Sequence, residues 1–257
     1  MSTYVCGDIH GQFTLYRKML EKIRFSDNDH LYVIGDVIDR GPESIGILRD
    51  LMSRKNAELL LGNHELMMYD HLTGNREYDC WFNGSNGGEK TMEEYAQLSP
   101  WERVRIRKFI RRLLLQKEVR VNGTTFLLSH SSFISGAGDV HWKAVPYKTA
   151  SDTVWDSPWR FFEFRDVEDY KEDGRVHIIG HVPVQGIRAG EWPSGKKPEM
   201  PAALVNRDSG IVNIDLGCAK LATGIYRNGE CLCCLNLEAF AEGKTEEAFV
   251  YTKPDED

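Results

Sequence analysis

One pattern constrains this chain before any other. Three short apolar runs each end in a glycine followed at once by polar residues. Residues 4–6 lead to Gly7, Asp8 and His10; residues 31–34 lead to Gly35, Asp36 and Asp39; residues 58–61 lead to Gly62, Asn63 and His64. Between the runs lie stretches with helical apolar spacing: Leu15, Met19, Leu20 and Ile23, then Ile45, Leu48 and Leu51 after Pro42. Strand, helix, strand, helix, strand at this spacing predicts a βαβαβ unit with a mostly parallel sheet. Ligands of such sheets bind beyond the carboxyl ends of the strands. The three polar clusters are therefore expected on one rim.

Residues 67–115 read as helical, with a break in the Gly/Asn-rich segment 83–88. Strand patterns then take over. Residues 119–121 and 125–128 flank Asn122-Gly123, a hairpin signal. Further strands are expected at 176–179, 204–205, 211–214, 225–226 and 231–237, and the second half is expected to add a second, more antiparallel sheet. Residues 186–201, rich in Gly, Pro and Lys, read as a surface loop. With 257 residues and 41% apolar content, the chain can bury a core without disulfides or structural zinc. A single α/β domain over residues 1–257 is expected.

Charge and cysteine content narrow the partners. A net charge of −7 gives no reason to expect a nucleic-acid partner, and fits an acidic enzyme that binds cations. No apolar stretch suits a membrane span, and the first residues show no basic-then-apolar leader pattern. The six cysteines form no paired framework, so a reducing, cytoplasmic location is expected. Cys231 and Cys234 spell C-x-x-C without a second pair at zinc spacing and read as buried strand cysteines. The basic run Arg103, Arg105, Arg107, Lys108, Arg111 and Arg112 reads as the solvated face of an amphipathic helix.

His130 follows the strand at 125–128, and Gly180-His181 follows the strand at 176–179. Asp8, His10, Asp36, Asn63, His130 and His181 thus follow five expected strand ends, and none is a thiolate. Carboxylate, imidazole and amide donors suit manganese, iron or zinc, and six donors suit a two-metal site with open positions.

These segments resemble a known family. Gly7-Asp8-Ile9-His10-Gly11, Gly35-Asp36-Val37-Ile38-Asp39-Arg40-Gly41 and Gly62-Asn63-His64-Glu65 are similar to the three signature motifs of the calcineurin-like metallophosphoesterases. More narrowly, they resemble the phosphoprotein phosphatases, the serine/threonine branch with bacterial and phage members. The resemblance implies an α/β/β/α sandwich of two mixed sheets flanked by helices. It implies two divalent metal ions, with manganese first and iron or zinc as alternatives. Asp8 and His10 would hold one metal, Asn63, His130 and His181 the other, and Asp36 would bridge them. A hydroxide activated between the two metals would attack phosphorus directly. His64 would be the general acid, Asp39 would orient it, and Arg40 would grip the phosphate. A second phosphate-binding arginine is expected at Arg160, with Arg165 in reserve.

The implied activity is hydrolysis of phosphomonoesters, foremost phosphoserine and phosphothreonine in proteins, with small phosphoesters as further substrates. The alternative is a diadenosine tetraphosphatase-type hydrolase. Symmetrical tetraphosphatases tend to carry Ala before the Arg-Gly of the second motif and Asp after the Asn-His of the third. Asp39 and Glu65 at those positions favour the protein phosphatase. Ser131-Ser132 after His130 and Val182-Pro183 after His181 depart from the usual small-residue and Thr-Pro pairs. Trp81, Asn86-Gly87-Gly88 and Thr91 resemble a Trp, Asn-Gly-Gly, Thr pattern of bacterial members and read as a pocket-wall loop.

Overall fold

A computed structural model describes residues 1–75, 80–159, 166–224 and 229–255. The chain opens with strand β1 (Thr3–Cys6), helix α1 (Phe13–Lys22), β2 (His30–Val33), α2 (Ser44–Ser53) and β3 (Ala57–Leu59). Three helices follow: α3 (Asn63–Thr73), α4 (Gly88–Ala96) and α5 (Pro100–Arg111). Next come β4 (Leu114–Val121), β5 (Thr124–Ser129), β6 (Val140–His141), α6 (Tyr147–Trp155), α7 (Val167–Asp173) and β7 (Val176–Ile179). The last elements are β8 (Leu204–Asn206), β9 (Ile211–Asn213), α8 (Cys218–Leu221), β10 (Leu232–Asn236), α9 (Leu237–Ala241), α10 (Thr245–Ala248) and β11 (Phe249–Thr252).

Two mixed sheets are flanked by helices. The first has the order β11-β10-β1-β2-β3 and the second β6-β4-β5-β7-β9-β8. Strands β1, β2 and β3 run parallel, as do β5, β7 and β9. The layering follows from side-chain alternation. Val5, Phe126, Leu128, Ile178, Val212, Cys233 and Leu235 point between the sheets into one shared cluster. Their chain neighbours point outward. Cys6, Leu232 and Cys234 meet α1, α2 and α3, while Leu127, Ile179 and Ile211 meet Tyr170 of α7 and Phe133. Each aliphatic side chain buried this way contributes about 1.5–3 kcal/mol.

Several sequence expectations are corrected. Residues 114 and 115 begin β4 rather than ending a helix. The run at 231–237 does not join the second sheet. As β10 it pairs antiparallel with β1, with Cys6 opposite Cys234, and β11 pairs with β10 in turn. The expected strand at 225–226 lies outside the described residues. The loop at 186–201 is pinned to the inter-sheet core by Ile187 and Trp192. Cys231 and Cys233 face one cluster and Cys234 the other, and no disulfide joins any of the six cysteines. Among the described residues, no helix is long and apolar enough to cross a membrane.

Candidate metal centre and active site

The carboxyl ends of β1, β2, β3, β5, β7 and β9 meet at one place, and hydrogen bonds lace their loops together. Ile9 and His10 donate their N–H groups to Asp36 O at 3.0 and 2.9 Å, and Gly11 donates to Val37 O at 2.9 Å. Gly180 donates to His130 O at 2.8 Å. Two glycines are required by close approach: a Cβ on Gly62 would strike the Asp36 carboxylate, and one on Gly180 that of Asp8. Among the described residues, seven non-glycine positions have φ in the left-handed region. Five of them are His10, Asp36, Asp39, Arg40 and His181. Backbone strain therefore concentrates at this rim, as it does at functional sites.

Asp36 lies at the centre. Its Oδ2 is 3.6 Å from His10 Nε2 and 3.8 Å from His64 Nε2, and its Oδ1 is 3.5 Å from His130 Nε2. Donor atoms of His10, Asp36 and His64 lie within 4.8 Å of one another, and so do those of Asp36, His130 and His181. Asn63 Oδ1 completes the second group, 2.9 Å from His130 Nε2 and 3.0 Å from His181 Nδ1. Asp8 accepts from the backbone N–H of His181 and stands close to Asp36 and Asp215. All six expected donors are buried.

The donor chemistry fits divalent cations. His130 donates Nδ1–H to Ile34 O at 2.9 Å, so its Nε2 lone pair faces the Asn63 carbonyl oxygen. His10 likewise donates Nδ1–H to Ile38 O at 3.1 Å, which leaves Nε2 as the acceptor. Lone pairs aimed at one another and at carboxylates need positive charge between them. Arg40 supplies some, its guanidinium lying 2.8 Å from His10 Nε2. Burial, Asp215 and Asp36 push the Asp8 carboxyl up, and burial, Arg40 and His64 push the His10 imidazole down to its neutral, ligating form. Burial opposes ionisation of Asp36, yet the surrounding histidines hold it below the usual carboxylate range.

His64 is built as a separate unit. It lies in the first turn of α3, its N–H donates to Asp36 Oδ1 at 3.0 Å, and its Nδ1 lies 2.6 Å from Asp39 Oδ2. Burial lowers its affinity for a proton, but Asp36 and Asp39 outweigh burial and raise it. Trp81 donates its indole N–H to the same Asp39 oxygen at 2.7 Å. Thr91 and Ser44 accept from the Asp39 N–H. The segment carrying Trp81, Gly87 and Thr91 is thus wrapped around Asp39 and Arg40. Glu65 behaves otherwise. Its buried carboxylate accepts from the N–H groups of Asp36, Val37 and Gly62 at 2.8, 2.9 and 3.1 Å. It braces backbone from a fully buried position.

A groove of about 660 Å³ opens over the centre, lined by His10, Arg40, Lys90, His181, Asp215 and Lys220 among others. Asp215, Lys90 and Lys220 were not among the sequence expectations. Asp215 follows β9 and precedes Gly217, so the strand-end rule could have found it. No local signal marks the two lysines. Arg160 and Arg165 lie outside the described residues.

A profile described as calcineurin-like phosphoesterase matches residues 1–200. The chain belongs to this family. Among curated proteins, it is 41% identical over 76 residues to a symmetrical bis(5'-nucleosyl)-tetraphosphatase of Haemophilus ducreyi, covering 29% of this chain and 28% of that protein. A protein of the same name from Cellvibrio japonicus is 47% identical over 68 residues, covering 26% of this chain and 25% of that one. The matched stretch therefore spans under a third of the length of these relatives. Two solved structures share the fold. One, described as a candidate diadenosine tetraphosphatase, has a TM-score of 0.54 at 14% identity, over 97% of this chain and 92% of that one. The other, a protein serine/threonine phosphatase from Saccharomyces cerevisiae, has a TM-score of 0.53 at 15% identity, over 91% and 72%.

Proposed function

We propose that this calcineurin-like phosphoesterase is a metal-dependent hydrolase of dinucleoside polyphosphates, acting at the rim where the two sheets converge. The observation that carries the chemistry is Asp36, buried with its carboxylate 3.5–3.8 Å from the Nε2 atoms of His10, His64 and His130, beside a groove that His10 and His181 line together with Arg40, Lys90 and Lys220. Asp8, His10 and Asp36 would hold one divalent ion, and Asp36, Asn63, His130 and His181 a second. Such ions supply an activated water and neutralise phosphoryl charge. Arg40 orients a phosphoryl group over them by fork-like donation. His64, steadied by Asp39, holds a proton at Nε2 for the leaving oxygen. The shared name of the curated relatives supports the dinucleotide substrate.

A second reading, protein phosphoserine or phosphothreonine hydrolysis, draws on the His64–Asp39 pair at 2.6 Å. A serine alkoxide is a far poorer leaving group than a nucleoside diphosphate, and it needs a positioned acid more. The deciding measurement supplies manganese and follows ADP from diadenosine tetraphosphate beside phosphate from a phosphothreonine peptide. ADP formation at the higher kcat/KM is expected; the reverse ranking would replace the first reading by the second.

A further inference from the structure

We propose that Lys90 and Lys220 form a second anion subsite that takes phosphates remote from the one attacked, and so selects polyphosphate chains over monoesters. This deepens the dinucleoside polyphosphate reading and rests on it. The groove is of the size that takes a whole small ligand, about 300–1,000 Å³, and far exceeds one tetrahedral phosphate. On that reading, the donors of the metal centre and Arg40 take a single phosphoryl group. The remaining cations enter from separate elements. Lys90 comes from the first turns of α4, and Lys220 from α8 after β9.

Each lysine is steadied by one wall contact. Lys90 Nζ donates to Arg40 O at 3.2 Å, and Lys220 Nζ lies 3.7 Å from Glu230 Oε1, whose side chain is buried. An ammonium has three N–H donors, so each can still engage an anion. Partial anchoring limits the ordering cost of binding. Beside Lys220 the lining is small, with Pro183, Ala219 and Ala222, which leaves room for a chain running past the floor. Glu89 is the exposed acid at this lining, and Asp215 is buried beside the metal donors. Three cations around one groove, in a protein of net charge −7, are a local field suited to an extended anion.

The test compares diadenosine tetraphosphate with p-nitrophenyl phosphate in the manganese-loaded protein and reads the ratio of their kcat/KM values. Lys90→Ala and Lys220→Ala should each lower the ratio about five- to tenfold, the effect of one partly exposed charge-assisted contact. Lys220→Arg should stay near the wild-type ratio, as should Lys108→Ala, which removes a charge from exposed α5. An unchanged ratio in both alanine variants overturns the subsite. If the wild type fails to cleave the dinucleotide, the substrate reading falls and the subsite is judged by calorimetry instead. Tripolyphosphate and orthophosphate are titrated into the protein with manganese in excess. A selective five- to tenfold loss of tripolyphosphate affinity in Lys220→Ala upholds the subsite, and equal loss for both anions, or none, overturns it.

Discussion

Asp39 shows how much one side chain can be asked to fix. Its backbone is left-handed, with φ of 71°, and its N–H is shared between two hydroxyls. One carboxylate oxygen takes both the His64 imidazole and the Trp81 indole, while the other is buried with no hydrogen-bond partner. Two donors converging on one oxygen stop the carboxylate from turning, and this fixes the His64 ring with Nε2 toward Asp36, 3.8 Å from its Oδ2. Asp39→Asn should therefore lower kcat on p-nitrophenyl phosphate by about 10²-fold, within the range of a lost general acid, because the amide no longer favours the working tautomer. Manganese content, measured by elemental analysis, should stay at the wild-type value; its loss would assign Asp39 to the metal centre instead. Trp81→Phe keeps the buried ring and removes the N–H alone. It should cost about 1–2 kcal/mol in urea unfolding and reduce kcat less than Asp39→Asn does. A full-size loss of kcat would mean that the indole, not the carboxylate, positions His64.

Among the elements, the junction of α7 with β7 is held by charge. Arg175 donates to both Asp173 oxygens at 2.5 and 2.7 Å, to Glu118 of β4 at 3.1 Å and to Ala137 O at 2.7 Å. Burial pushes the Asp173 carboxyl up, but Arg175 and His177 outweigh it and hold it below the usual carboxylate range. A carboxyl depressed on folding stabilises the fold above its unfolded pKa of about 3.9, and that contribution is lost as pH falls through the folded value. Arg175→Ala should cost about 2 kcal/mol near neutral pH, and its gap from the wild type should narrow below about pH 4. Unfolding curves at pH 7 and pH 3 test this, and a gap independent of pH would show that Arg175 acts by packing alone. Such junctions mark the limit of what the sequence discloses. The β1–α1–β2–α2–β3 unit was legible because glycines and polar clusters punctuate it locally. The same punctuation placed Asp8, His10, Asp36, Asn63, His130 and His181 on one rim. Leu114 and Leu115 read as helix in the sequence because they prolong the apolar pattern of Ile106, Phe109, Ile110 and Leu113. Strand β10 gave no local sign that its partner would be β1, from the opposite end of the chain. Lys90 and Lys220 join one groove only through the tertiary fold.

For the whole molecule, the donor set has a mechanical consequence. Asp8, His10, Asp36 and Asn63 hang from the first sheet, and His130 and His181 from the second. A cation held by donors of both sheets would add a tie between them at the rim, whereas the unfolded chain scatters the same side chains. Binding to the folded state alone stabilises it by about 2.7 kcal/mol at a hundredfold excess over Kd. In a chain of this size that corresponds to a rise in Tm of about 5–10 °C. Manganese should therefore raise Tm progressively with concentration, and a chelator should return it to the metal-free value. His130→Ala removes a donor of the second sheet and should shrink that rise. Amide exchange locates the effect: chelation should speed exchange at the ends of β1, β2, β5 and β7, and leave β11, the edge strand that β10 separates from β1, nearly unchanged. Uniform acceleration across both sheets would mean that the metal stabilises the fold as a whole without joining the sheets at this rim.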